Sequence, residues 1–315
     1  MRFVIVQPSW DHTEILGSFF YYIKQSNNQV NIIYNWDRPE GNYINYFCDL
    51  FNIYDNVRFI NYKSPKKHIS DLTKAHKIIF IDEIHLQKFM SKNIFRSFSH
   101  KIFVFNHLTK KIPYDITSLS LGPIPFNRCI NEKKYLVNNY FNPNVEIKKT
   151  MNKTKKFLIV GNPNFRELSL LDSITDLNIQ IYLVARTDVK INNSKIKIFE
   201  SISTKDLMLI LENIDFVITL FKKDSVYHND RISGIIPYAI SFGKPLIMDE
   251  DFYNLTNTIS NEKFIYKNNL LSFRKTINET IEISDNYYEK IVNKIIKYRD
   301  TKIIEQYLNL HLIFN

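Results

Sequence analysis

The stretch YHNDRISGIIPYAISFGKPLIMDED, residues 227–251, passes from polar and charged residues through Ser233–Gly234 into an apolar run. It breaks at Gly243–Lys244–Pro245 and resumes as a short apolar strand that ends in acids. The spacing predicts a helix from about Gly234 to Phe242, then a strand over PLIMD. A helix and a strand with no polar face are both buried, which is the pattern of a parallel sheet covered on each side. The N-terminus of such a helix carries about half a positive charge and several unpaired N–H groups, so it is a natural seat for a phosphate. Arg231 adds charge beside the small Ser233 and Gly234. The same residues also read as a tight strand-to-helix turn with a surface arginine.

Working outward, DFVITLF (215–221), KIKIFES (195–201), IQIYLVA (179–185) and KFLIV (156–160) read as strands. RELSLLDSI (166–174) and TKDLMLILENI (204–214) read as helices, the second with Ser203 in position to cap it. The first half repeats the alternation. RFVIV (2–6), VNIIYNW (30–36), VRFINY (57–62), AHKIIFIDE (75–83) and HKIFVFNH (100–107) are strands, and TEILGSFFYYIKQ (13–25) and NYINYFCDLFNIY (42–54) are helices, with Thr13 a candidate cap. Between the halves, NPNVEIKKTMNKTKK (142–156) has no apolar period. The fold class is therefore α/β, with two doubly wound domains facing a central cleft. The expected boundaries are residues 1–147, 148–295, and a C-terminal helix over 296–315 that packs back toward the first domain.

At 315 residues each half can bury a core, and 24 Phe and 19 Tyr exclude the disordered classes. A net charge of +10 suits phosphorylated ligands or docking on an anionic membrane surface, but no nucleic-acid-binding pattern accompanies it. Two cysteines, Cys48 and Cys129, lack metal or redox spacing. No segment reads as a signal peptide or a membrane span. A cytoplasmic protein, with peripheral membrane contact allowed by its charge, is the expectation.

The run DRISGIIPYAISFGKPLIM (230–248) resembles the donor-side helix of GT-B fold glycosyltransferases. In that family a small-residue turn meets the diphosphate of a nucleotide sugar, and the helix is followed by a Gly-Lys-Pro strand start. The order KIKIFES, TKDLMLILENI, DFVITLF is similar to the family's second domain, so the likeness covers most of residues 156–255. It implies two Rossmann-like domains and transfer of a sugar from a nucleoside-diphosphate sugar to a hydroxyl of a glycan, lipid-linked or protein acceptor. Many retaining members carry two glutamates eight positions apart around this turn; aligning on GKPLI places Asp230 and Tyr238 there, so one acid is kept and one is replaced.

The resemblance also assigns donor-side roles to Gly161 and Arg166 in GNPNFR, the first allowing close approach to the diphosphate and the second neutralising it. A capped turn with an exposed arginine is the alternative. Glu200 falls where the family places base or ribose contacts, and Lys222 and Lys223 are either phosphate ligands or a solvated pair. On the acceptor side, inverting members need a general base after the first strand, and Asp11 with His12 in QPSWDHTE supplies one unless the two form a helix cap. His107 is a further candidate.

Asp249 and Asp251 imitate the Asp-x-Asp by which GT-A fold transferases hold a metal. The two-domain pattern argues against that reading, so no metal or other cofactor is expected; arginine, lysine and helix N-termini meet the leaving-group charge. Two other readings are a non-catalytic scaffold that keeps the fold and a nicotinamide-dependent oxidoreductase. The latter lacks its G-x-G-x-x-G turn in both VQPSWDHTEILG and VGNPNFREL.

Overall fold

Short β-branched and aromatic runs separated by amphipathic segments can satisfy their backbone only by pairing side by side, and the chain forms two wholly parallel sheets. The computed structural model describes residues 1–7, 16–34, 42–61, 65–81, 86–87, 99–106, 116–121, 134–137, 140–185, 187, 189, 191, 193–225, 233–256 and 259–314. The first sheet contains β1 (Arg2–Gln7), β2 (Gln29–Tyr34), β3 (Val57–Asn61), β4 (Lys77–Phe80), β5 (Ile102–Asn106), β6 (Thr117–Leu121) and β7 (Lys134–Val137). Its spatial order is β3-β2-β1-β4-β5-β6-β7, so the winding reverses between β1 and β4. Helices α1 (Leu16–Ser26), α2 (Asn42–Phe51) and α3 (Ile69–Thr73) connect its early strands. In this unit Phe3, Phe19 and Phe314 meet edge to face at 5.0–5.7 Å.

The second sheet contains β8 (Lys155–Val160), β9 (Ile179–Ala185), β10 (Ile196–Glu200), β11 (Phe216–Ile218), β12 (Leu246–Asp249) and β13 (Ile265–Tyr266), in the order β10-β9-β8-β11-β12-β13. Its helices are α4 (Thr204–Asn213), α5 (Ile235–Ser241), α6 (Glu250–Thr256) and α7 (Leu270–Ile281). The final helix, α8, runs from Asp285 to Phe314 and so begins before residue 296. Two compact units result: one holds the first sheet and Lys302–Asn315, the other Asn142–Thr301. Ser203 caps α4 as its position predicts, its Oγ accepting from the Asp206 N–H at 3.1 Å. RELSLLDSI differs from the α-helical expectation, since Leu168–Ile174 is a 3-10 helix. The segment is short and has no side-chain cap, and the tighter winding sets Leu171 and Ile174 on one buried edge.

The break at Gly243–Lys244–Pro245 is a helix stop. Gly243 has φ +65°, and its N–H and that of Lys244 donate to Ile240 O at 3.1 Å and Ala239 O at 2.7 Å, the paired bonds of a Schellman motif. Lys244, 2% exposed, then turns inward and donates to the carbonyls of Glu212 at 3.1 Å and Ile214 at 2.9 Å. Nearby Asp215 is fully buried and accepts from Asn152 and from the Lys156 N–H at 2.8 Å. Burial pushes the Lys244 ammonium down to about 8, with Asp215 opposing the shift. Lys244 precedes β12, so the lysine of the GKP motif serves the amino edge of the sheet.

Two outcomes follow from this corner. Gly243→Ala places a methyl 3.0 Å from Ile147 Cγ2 in a left-handed conformation, and urea unfolding should show a loss of about 1–2 kcal/mol. Lys244 binds fewer protons folded than unfolded between about 8 and its ordinary 10.5. Its unfavourable contribution is therefore full below pH 8 and is relieved as pH rises through that window. The unfolding free energy of the native chain, measured against Lys244→Met at pH 7.5 and pH 9.5, should rise with pH; a flat difference would mean that Lys244 titrates normally.

Candidate functional site

In an open parallel sheet the ligand crevice lies at the carboxyl ends of the strands where the winding direction reverses. In the second sheet that point is between β8 and β11. Strand β8 ends at Val160, and Gly161 follows with φ +131°, its N–H donating to Val184 O at the end of β9 at 2.9 Å. Asn162 Oδ1 accepts from the Asn164 N–H at 2.9 Å and opens a single 3-10 turn, Pro163–Phe165. The returning chain is stitched to the segment after β11: Glu167 N–H donates to Leu220 O at 2.8 Å and Lys222 N–H to Phe165 O at 3.1 Å. Leu220 has φ 45°, a conformation that is uncommon for a bulky side chain and that clusters at functional sites.

Arg166 sits inside this loop. The residue is 1% exposed, its Nη2 donates to Val160 O at 2.6 Å, and its guanidinium carbon lies 4.4 Å from the centre of the Phe221 ring. Phe221 packs in turn on Phe252 at 4.6 Å. A Cβ added to Gly161 would fall 2.4 Å from Arg166 Nη2, so glycine is required there both by backbone conformation and by the arginine.

The neighbouring strand ends add a buried acid and a phenol. Asp249, 2% exposed, caps α6 by accepting the Phe252 N–H at 2.9 Å. It is in register with Tyr266 across β12 and β13. Burial, and then Asp249, hold the Tyr266 phenol well above its ordinary range, while Arg166 pulls it down. The Leu220 backbone also pulls the Tyr266 phenol down.

The structure thus brings Gly161 and Arg166 together and replaces the exposed arginine of the alternative reading with a buried one. Ser233 is buried and Gly234 precedes α5 with φ −60°; Ser233 O accepts from the Ile236 N–H at 3.2 Å. Glu200 is exposed and lies on the edge strand β10, two strands from β8. Lys222 is half-buried and Lys223 exposed, while Tyr238 is buried within α5. Asp249 is buried and caps its helix, whereas Asp251 is exposed on α6. Asp11, His12, His107, Asp230 and Arg231 lie outside the described residues. Phe221 and Tyr266 were not singled out by the sequence. A strand-end aromatic after DFVITL was the available signal for the first, and a two-residue strand gives none for the second.

No family model matches the chain, and no curated protein matches it. Solved structures do. HepE from Anabaena in complex with UDP-glucose matches with a TM-score of 0.64 at 10% identity, over 99% of this chain and 99% of that one. The lipopolysaccharide outer core galactosyltransferase WaaB, in its apo form, matches with a TM-score of 0.56 at 13% identity, over 98% and 99%. UDP-GlcNAc 2-epimerase from Methanocaldococcus jannaschii, in complex with UDP-GlcNAc and UDP, matches with a TM-score of 0.54 at 12% identity, over 95% and 100%. The chain resembles GT-B glycosyltransferases and has their fold, with two Rossmann-like domains.

Gly161→Ala should cost about 2 kcal/mol or more in chemical denaturation, because it combines strained backbone with displacement of Arg166. In an Arg166→Ala background the same change should cost at least about 1 kcal/mol less, the coupling expected of touching groups. Additive losses in the double variant would show that the two residues act separately.

Proposed function

We propose that the chain is a glycosyltransferase that holds a nucleoside-diphosphate sugar at the carboxyl ends of β8 and β11 and passes the sugar to an acceptor hydroxyl without a metal ion. The observation that carries this reading is the Gly161 turn at the winding reversal, with a buried guanidinium directly beneath it. Gly161 lets a diphosphate approach the backbone, Arg166 supplies positive charge in a low-dielectric setting, and the Ser233–Gly234 start of α5 offers further N–H donors. Asp230, Arg231 and Glu200 are proposed as further donor-side residues. Asp11 and His12 come soon after β1 in the sequence and are proposed as the general base and its orienting partner.

Metal independence is supported by the donor set. A carboxylate already spent on capping α6 is a poor ligand for a divalent cation, and cationic and N–H groups suffice for a departing diphosphate. Uridine is the first base to try, because HepE was crystallised with UDP-glucose. The M. jannaschii epimerase shares the fold, so the assay must separate transfer from epimerisation of the donor.

The test is thermal unfolding of the purified chain with UDP, GDP, dTDP, ADP, CMP and NAD, with EDTA and with magnesium or manganese, followed by product analysis with the matching sugar nucleotide. One nucleoside diphosphate at a hundred times its Kd should stabilise by about 2.7 kcal/mol, in EDTA as well as in magnesium. A shift that requires metal overturns metal independence, and a 2-epimer product overturns transfer. No shift with any diphosphate leaves the scaffold reading.

A further inference from the structure

An arginine side chain is long and flexible, so a guanidinium that has to meet a phosphate at one place needs a seat. The seat of Arg166 is aromatic. Strand β11 ends at Ile218, and Leu220, with φ 45°, turns the chain just before Phe221. A β-bridge then sets Phe221 opposite Arg166, with the ring centre 4.4 Å from the guanidinium carbon. Behind it lies Phe252, whose ring centre is 4.6 Å from that of Phe221 at an interplanar angle of 60°. Phe252 is itself fixed in the first turn of α6: its N–H donates to Asp249 Oδ1 and its carbonyl accepts from Thr256 Oγ1, both at 2.9 Å. Both rings are fully buried.

We propose that Phe221, backed by Phe252, is a positioning residue for Arg166, holding the guanidinium toward the second phosphate of a nucleoside diphosphate without touching the ligand itself. The inference rests on the donor-site reading above. An aromatic face attracts a cation and leaves the N–H groups of the guanidinium pointing outward in their own plane, where an oxygen can meet them. An aliphatic side chain of similar bulk fills the space without that attraction. Because Nη2 is also tied to Val160 O at 2.6 Å, ring and carbonyl together fix where the charge stands at the end of β8. The bridge and the paired loop hydrogen bonds, Glu167 N–H to Leu220 O and Lys222 N–H to Phe165 O, keep ring and arginine in register.

The test is calorimetric titration of the full chain with UDP and with UMP, which differ by the second phosphate. Phe221→Leu should weaken UDP about tenfold and UMP by less than about twofold, the loss expected when a desolvated cation–π contact is removed. In an Arg166→Ala background the same change should leave UDP affinity unaltered, because it acts through the guanidinium. Phe252→Leu, one contact further out, should reproduce the selective loss of UDP at smaller size, and it carries the test if Phe221→Leu melts below the assay temperature. Equal losses for UDP and UMP, or a UDP loss that persists without Arg166, would make Phe221 a packing residue and overturn the inference. A native chain that gains nothing from the second phosphate, with UDP over UMP or GDP over GMP, overturns the donor-site reading and the inference with it. That outcome is visible before any variant is made.

Discussion

Burying the Arg166 guanidinium beneath the end of β8 constrains everything around it. A cation at 1% exposure needs carbonyl oxygens and a π face within reach, and these include the Val160 carbonyl and the Phe221 ring. Its bulk forbids a side chain at position 161, and its β-bridge to Phe221 ties the loop after β8 to the segment after β11. Leu220 takes its left-handed conformation in that same seam, where its carbonyl receives Glu167 N–H. The turn is thus held open by the residue packed beneath it.

The two edges of the second sheet bury cations for different ends. At the amino edge, Lys244 is enclosed by the carbonyls of Glu212 and Ile214 near the buried Asp215. Tyr288 closes the corner by donating to Asp215 O at 2.9 Å. Everything there is satisfied within the fold, as expected of a structural device. At the carboxyl edge, left-handed residues follow β8, β10 and β11. A left-handed conformation costs stability at a non-glycine residue, and Ser201 and Leu220 adopt it at the edge where ligands bind in open parallel sheets.

That division explains what the sequence could tell. Strands such as KFLIV and IQIYLVA were legible because burial on both faces writes an unbroken apolar run, and Ser203 because a cap is a local hydrogen bond. TSLSL (β6) and KYLV (β7) are too short or too mixed to stand out, and β13 has two residues. Gly161 stood out because the chain has only 6 glycines. The burial of Arg166 was not legible, since it depends on Phe221, fifty-five positions along the chain (221 − 166), arriving from another strand. That Asp249 caps α6 was not legible, because a strand-end acid and a helix cap have the same local sequence.

The replacement of the second family glutamate by Tyr238 also has a physical reading. Position 238 is buried in the middle of α5, all seven residues of which are buried, and that helix is fixed at its far end by Gly243 and by Arg299 Nη1 donating to Ser241 O at 2.8 Å. A carboxylate at so enclosed a position needs a polar ligand or a cation to offset its desolvation, whereas a tyrosine fills the same volume with an apolar ring and keeps one polar atom. A donor-side role for this helix therefore rests on its N-terminal backbone and on residues before it, with position 238 contributing packing. The loop after β8 has anchors of its own, through Arg166 and the seam to the segment after β11, so its shape does not hang on the side chain at position 238 alone.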